Sequence, residues 1–483
     1  MLFNSLGFLI FFSVFFFVYW SVSGNKKIRN ILLLAGGMYL YSLWDIKFFL
    51  MLCFIIVLNY FSGLLVSKDT IRGKLIFYSA LALNLLPLIY FKYYNFFIEN
   101  LSTMSSLLGI EFNLQTMNLL LPIGISFYTF LSISYLIDVF RKHIDPEKNI
   151  IDLALSLSFF PIIMSGPIHR PRIFLKQIKE VNKFDYSLAA EGLRQILTGL
   201  LYKVVIADNI AKHADEVFRG YNSFDGATLL LGSVYFSFQL YFDFNGYSEM
   251  AIGISKLLGF RINRNFKYPY LSRTISDFWK RWHISLTEWF RDYIFLPVSY
   301  ISSRKIKPGS FFDKDIFVYS AGITVTWTLT GLWHGAGWNF IFWGMIHAVL
   351  LITNKAFMKT KKKIVKRTGL KKNGLPVIVY ESLITFILVN FAWIFFRSET
   401  AVKGYEMCVG IIDMSSWKIP QISLKPLFLI IFVLATEFVQ RNKEFLLEIS
   451  GRRIILRWTV YLAVTILVLY YSGNDASFIY MGF

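Results

Sequence analysis

From Ser5 to Asn25 the chain carries no charged side chain. A helix needs roughly 20 apolar residues to cross a hydrocarbon core of about 30 Å, so this stretch is long enough to span a membrane. Similar runs recur at Leu75–Phe91, Leu119–Ile137, Trp338–Thr353, Val377–Phe396 and Trp458–Gly473. None alternates strictly between apolar and polar residues, as the wall of a membrane barrel would. Helices must therefore satisfy the backbone in lipid. The expected class is all-α, a polytopic integral membrane protein with roughly ten to twelve transmembrane helices plus re-entrant or interfacial ones. No repeat or low-complexity linker divides it, so residues 1–483 read as a single membrane domain. The first run lacks a basic leader and a small-residue cleavage site, and it is read as a retained span.

A net charge of +20, from 50 Lys and Arg against 30 Asp and Glu, would suggest nucleic acid in a soluble protein. Here 55% of the residues are hydrophobic, and no nucleic-acid recognition module accompanies the charge. Basic loops facing anionic membrane lipid account for it better. The clusters Lys26–Arg29, Lys68–Lys74, Arg141–Lys148, Lys359–Lys372 and Arg441–Arg453 are expected on the cytoplasmic side. Ile31–Val66 then reads as a helical hairpin, and both termini fall outside, with residues 472–483 as an extracytoplasmic tail. The two cysteines, Cys53 and Cys408, match no metal or redox spacing, and no metal site is expected.

Ionisable and polar groups in apolar surroundings carry the functional signal. His334 lies in Thr330-Gly-Leu-Trp-His-Gly-Ala-Gly-Trp338, within a segment free of charge from Ile316 to Asn354. Gly331, Gly335 and Gly337 permit close approach of a backbone or a substrate to an imidazole that can act as a general base. A histidine bonded to a helix carbonyl is the structural alternative. His283 lies in Arg261–Trp289, which is too charged to span yet rich in aromatics. Thr274 or Ser276 can cap a helix there, with Trp279, Trp282, Leu286 and Trp289 on one face. Beside His283, Lys280, Arg281 and Trp282 suit a phosphorylated ligand and equally a lipid headgroup. His347 reads as structural, and His143, His169 and His213 fall in or near polar loops. Asp243, Asn245, Ser248 and Glu249 sit between apolar runs, Trp333 and Asn339 flank the His334 turn, and Glu381 is a lone carboxylate within a span.

At these residues the chain resembles the membrane-bound O-acyltransferase family, and within it the bacterial branch that acetylates alginate and peptidoglycan. The resemblance rests on Leu121–Phe130, Phe159–Ile168, Tyr241–Ala251, Ile275–Leu286, Trp289–Pro297 and Gly331–Ala336 in this order. It implies helices around a central funnel or tunnel, His334 as catalytic histidine, and His283 as a second histidine near the donor side. It implies acetyl-CoA as a cytoplasmic donor substrate, no permanently bound cofactor, a multi-pass location in the bacterial cytoplasmic membrane, and an extracytoplasmic SGNH hydrolase-like partner. Asp243, Asn245, Ser248, Glu249, Trp333 and Asn339 become candidate tunnel-lining residues. The tail resembles the branch's terminal Phe-x-Tyr motif, which makes Tyr480 a candidate acyl relay; an aromatic interfacial anchor is the alternative. The implied function is O-acetylation of an envelope polysaccharide. A D-alanyl transferase of the teichoic-acid type and a non-catalytic polysaccharide transporter are the competing functions.

Overall fold

The computed structural model describes residues 3–110, 115–305, 314–367 and 374–473. Among these residues the regular elements are all helices. Six are long and apolar enough to cross a membrane: Ile46–Leu65, Ile71–Leu107, Asp315–His334, Trp338–Met358, Leu375–Arg397 and Ile454–Tyr471. Leu6–Val22 and Ile125–Phe140 are shorter apolar helices. Large side chains point outward in a manner water would not tolerate. Phe428 is 72% exposed and Leu469 68%, and of the Ile454–Tyr471 helix Val464 is the buried residue. Lipid is the solvent that makes such a surface stable.

The chain forms two compact units, Met1–Ile196 with Met250–Asn263, and Leu197–Glu249 with Arg264–Phe483. In the first, side chains fix the helix starts. Asn25 accepts from the backbone of Lys27 and Ile28, Asp45 from Lys47, and Thr70 from Gly73. The expected hairpin is the pair Lys26–Ser42 and Ile46–Leu65. Pro87 removes one backbone donor, and the helix continues through a π turn at Ile89–Tyr93 into Tyr94–Leu107. The span expected from Leu119 begins only at Ile125. Gly124, at φ +71°, lies so close to the Ile163 carbonyl oxygen that a Cβ would meet it at 2.4 Å.

Arg29 departs from its expected place among exposed loop cations. It is fully buried, donating to the Ile178 and Glu180 carbonyls and to Asn30 Oδ1, while Asn30 Nδ2 donates to Asp152. A guanidinium that satisfies two carbonyls at the end of the helix Pro171–Lys179 acts as a staple between segments. His169 does lie in a loop, just before the helix Pro171–Lys179, but it is not solvated. It is buried, with Nε2 2.8 Å from the Ser156 carbonyl oxygen and its ring against Phe174.

The second unit is built on Lys314–His334, Trp338–Arg367 and Leu375–Arg397. Small residues let these helices approach closely. A Cβ on Gly344 would meet the Trp327 carbonyl oxygen at 2.3 Å, and one on Gly331 the Phe340 carbonyl oxygen at 2.3 Å. Polar side chains lock the packing. Ser237 donates to Asn390 Oδ1 at 2.7 Å, and Asn390 Nδ2 donates to Ser233 at 2.9 Å. Glu381, alone in its span by sequence, is paired with Arg273, whose Nε lies 2.6 Å away.

Candidate active site

The aromatic segment around His283 was expected to be one helix, and it is two. Thr274 does cap it, accepting from the Asp277 backbone at 3.0 Å, but Ile275–Trp279 ends after little more than one turn. Ile284–Phe290 follows, and between them His283 takes the left-handed conformation at φ 42°, ψ 53°. That conformation costs an L-residue roughly 1–2 kcal/mol. Neighbouring bonds hold it in place. Ile284 N–H donates to the Asn265 carbonyl at 2.8 Å and Lys267 N–H to the Arg281 carbonyl at 2.9 Å. The Asn265 side chain accepts from Ser285 and donates to Ser248. The break turns the His283 ring into the protein, where it is 1% exposed and edge-on to Phe244, with centroids 4.7 Å apart. Burial pushes its imidazole down to about 3, so the ring is neutral at physiological pH.

His334 is the last residue of Lys314–His334, and Gly335 to Gly337 turn the chain into Trp338–Arg367. It is 3% exposed, in a wall of Trp333, Trp343 and Phe396 with centroids 4.8, 5.0 and 5.1 Å away. Its flanking glycines serve this packing, since Cβ atoms on Gly331 and Gly335 would strike Phe340. Trp333 also lies 6.1 Å from the His283 ring. The two candidate histidines therefore share one indole. His347 completes the cluster by accepting the Trp279 indole N–H at Nδ1, 3.3 Å away. Tight aromatic packing excludes water from both candidate imidazoles.

Beside this wall lies a cavity of about 410 Å³, lined among others by Lys280, Glu288, Arg291, Ile323, Trp327 and Thr330. Thr330 precedes His334 by one turn on the same helix face. Of the expected donor-binding residues, Lys280 lines the cavity and is exposed. Arg281 pairs with Asp277, and Trp282 is buried against Phe278 and Trp393. Of the candidate tunnel residues, Trp333 stands between the two histidines, and most of the others have polar partners of their own. Asp243 pairs with Lys203 at 2.7 Å, and Lys203 also pairs with Asp208 at 2.8 Å. Asn245 donates to the Tyr241 hydroxyl, Ser248 accepts from Asn265, and Glu249 is buried. Asn339 donates to the Ser398 carbonyl at 2.9 Å. Tyr480 and the tail beyond Gly473 lie outside the described residues.

Sequence reasoning passed over Lys203, and it passed over Glu437, which is fully buried and accepts from the hydroxyls of Tyr202 and Tyr241. The signal for Glu437 was a single carboxylate within the apolar run Leu427–Phe438.

The model of the family described as MBOAT, membrane-bound O-acyltransferase, matches residues 34–395. The chain is 35% identical to a probable alginate O-acetylase AlgI of Pseudomonas aeruginosa over 88% of this chain and 77% of that protein. It is 30% identical to a peptidoglycan O-acetyltransferase of Helicobacter pylori over 89% of this chain and 80% of that one. A teichoic acid D-alanyltransferase of Bacillus subtilis is 32% identical over 58% of this chain and 70% of its own length. With a match that runs through both histidine segments and most of the spans, the chain belongs to the membrane-bound O-acyltransferase family.

Proposed function

We propose that this acyltransferase takes an acetyl group from cytoplasmic acetyl-CoA and delivers it to a hydroxyl on the far side of the bacterial cytoplasmic membrane, for O-acetylation of an envelope polysaccharide. The observation that carries this reading is the cavity that ends one turn from His334. It combines the cations Lys280 and Arg291 with an apolar wall of Ile323, Trp327 and Leu351. A CoA thioester has the same two halves, a phosphorylated head and a slender arm. Thr326 and Thr330 donate their hydroxyls to helix carbonyls, so the wall toward His334 is effectively apolar. The fuller coverage of the acetylating relatives, 88% and 89% of this chain against 58% for the D-alanyl transferase, favours acetyl over D-alanyl.

The chemistry asks little beyond this. The acceptor oxygen attacks the thioester carbonyl, the C–S bond breaks and a C–O bond forms. His334 accepts the hydroxyl proton and returns it to the departing thiolate, a contribution worth roughly 10²–10⁴ in rate. The neutral His283 serves on the donor side as a hydrogen-bonding group. Tyr480 is the proposed first acceptor: its phenyl ester is an easily displaced acyl donor for a second, SGNH hydrolase-like enzyme. The direct test is incubation of the purified chain with radiolabelled acetyl-CoA or with D-alanyl carrier protein, followed by mass spectrometry of the C-terminal peptide. Acetyl on Tyr480 supports the reading. Labelling from the D-alanyl carrier alone replaces the donor, and full glycan acetylation by Tyr480→Phe removes the relay.

A further inference from the structure

Behind Trp282 and Phe244, the second unit buries a polar cluster that the proposed chemistry does not use. Its centre is Glu437, on Lys425–Val439 and beyond the span that the family model matches. The hydroxyls of Tyr202 and Tyr241 donate to Glu437 Oε1 at 3.0 and 2.9 Å. Each phenol has one hydrogen, so Tyr241 can only accept from Asn245, whose Nδ2 lies 3.4 Å away. That bond fixes the amide and turns Asn245 Oδ1 away from Tyr241. Three buried oxygens then have no hydrogen-bond partner: Glu437 Oε2, Asn245 Oδ1 and the Tyr268 hydroxyl. Their residues are at most 4% exposed. They belong to one cluster: Glu437 and Glu249 are electrostatic neighbours of both Tyr202 and Tyr268, and Asn245 is joined to Glu437 through the Tyr241 hydroxyl.

These atoms are unequal in kind. With the Glu437 carboxyl ionised, its Oε2 accepts only, as Asn245 Oδ1 does, and Tyr268 brings a single hydrogen, so the ionised group is short of positive charge however the phenol rotates. An uncompensated carboxylate at this depth is costly, and a second carboxylate nearby adds to the cost. Phenol, amide and carboxylate oxygens are the ligands of hard cations, whereas soft transition metals call for sulfur or imidazole. Among the described residues no group of three His, Cys, Asp or Glu side chains is placed to hold a metal. The backbone at Tyr268 is left-handed, at φ 48°, as it delivers this side chain. Its phenol also lies in the field of Arg264 and Glu448, which are only partly buried, so the cluster is open to a polar segment on that side.

The geometry points to a binding site for a hard cation, an alkali or alkaline-earth ion, held by Glu437 with Asn245 and Tyr268 and separate from the acyl-transfer histidines. A ligand that binds only the folded state stabilises it in proportion to the logarithm of its concentration above Kd. The full chain, purified in detergent and stripped with chelator, is therefore melted in sodium, potassium, magnesium or calcium chloride, with choline chloride at equal ionic strength as reference. The expected result is a saturable rise in melting midpoint with one of these ions, which names the ion. Glu437→Gln should abolish the rise. Tyr268→Phe, which keeps the ring and loses one oxygen, should weaken the apparent affinity by about tenfold or more. If Glu437→Gln does not fold, Tyr268→Phe alone decides. A midpoint that follows ionic strength alone, or an ion-specific rise of unchanged affinity in the variants, overturns the site.

Discussion

His283 and His334 meet the same indole: the Trp333 ring lies 6.1 Å from the first and 4.8 Å from the second. The two residues are far apart in sequence and reach this place differently. His283 arrives through a left-handed break between two short helices, and His334 through the end of a long one. Trp333 thus spaces two imidazoles in a wall that excludes water.

If His334 is the base, His334→Ala retains the fold and loses acetyl transfer by roughly 10²–10⁴. Trp333→Phe keeps an aromatic spacer and should lose much less. Initial rates with radiolabelled acetyl-CoA, on protein whose melting midpoint matches the parent, measure both. A His334→Ala protein that is folded and fully active would remove it from the mechanism.

The cavity lining makes a separable claim about the donor. Lys280 and Arg291 are exposed side chains at its edge, and phosphate contacts made equally in ground and transition states affect KM and leave kcat alone. Lys280→Ala with Arg291→Ala should raise KM for acetyl-CoA by about tenfold, and added salt should narrow the difference. A change confined to kcat would assign the pair to something other than phosphate binding.

Much of this site was legible in the sequence because rare residue types in apolar runs are conspicuous. The His334 turn, His283 and the capping Thr274 were each visible. The break at His283 was hidden: Trp279, Trp282, Leu286 and Trp289 keep helical spacing and are all buried, so periodicity alone predicts one helix. What interrupts it is Asn265, which binds the backbone from outside the segment. The partners of Asp243 and Glu381 were equally out of reach. Lys203 and Arg273 are supplied by distant segments, and no local pattern announces them. Chain spacing also cannot show that Arg29, in a cluster that looks like an ordinary basic loop, is the buried member.

The orientation expected from the basic clusters makes the Lys359–Lys372 tract cytoplasmic. A single cysteine placed at position 363, in a chain with Cys53 and Cys408 replaced, should resist a membrane-impermeant maleimide in intact cells and react after permeabilisation. Labelling in intact cells would invert the topology and, with it, the proposed direction of acetyl transfer.

His283 gives a pH dependence whose sign follows from its burial. Its folded value is about 3 against an ordinary 6.5, so below 6.5 the unfolded chain takes up a proton that the folded chain refuses. Stability present above 6.5 is therefore lost progressively as pH falls toward 3. His283→Asn, which tolerates a left-handed backbone, should flatten this slope. Some slope remains from His169, which burial pushes down to about 4. Melting midpoints across this range check it, and an unchanged slope in His283→Asn would mean that His283 is already protonated in the folded protein.

The last expectation concerns how firmly His334 is held. Gly331, one turn before it, touches the backbone of Trp338–Arg367, and a Cβ there would lie 2.3 Å from the Phe340 carbonyl oxygen. The Gly344 contact with the Trp327 carbonyl is equally close, so either alanine must push two helices apart where backbone meets backbone. Overpacking of this kind costs about 1–3 kcal/mol. The functional cost should differ. Gly331→Ala displaces the turn that carries His334 and the Trp333 spacer, and a shift of about 1 Å at a reacting group can lower the rate about 10²-fold. Gly344→Ala acts further along the crossing, beside Trp327 in the cavity wall, and should affect use of the donor more than the transfer step. Melting midpoints paired with kcat and KM for both variants separate the two effects. Equal losses of stability with unchanged kinetics in Gly331→Ala would show that the helix crossing holds the fold without setting the position of His334.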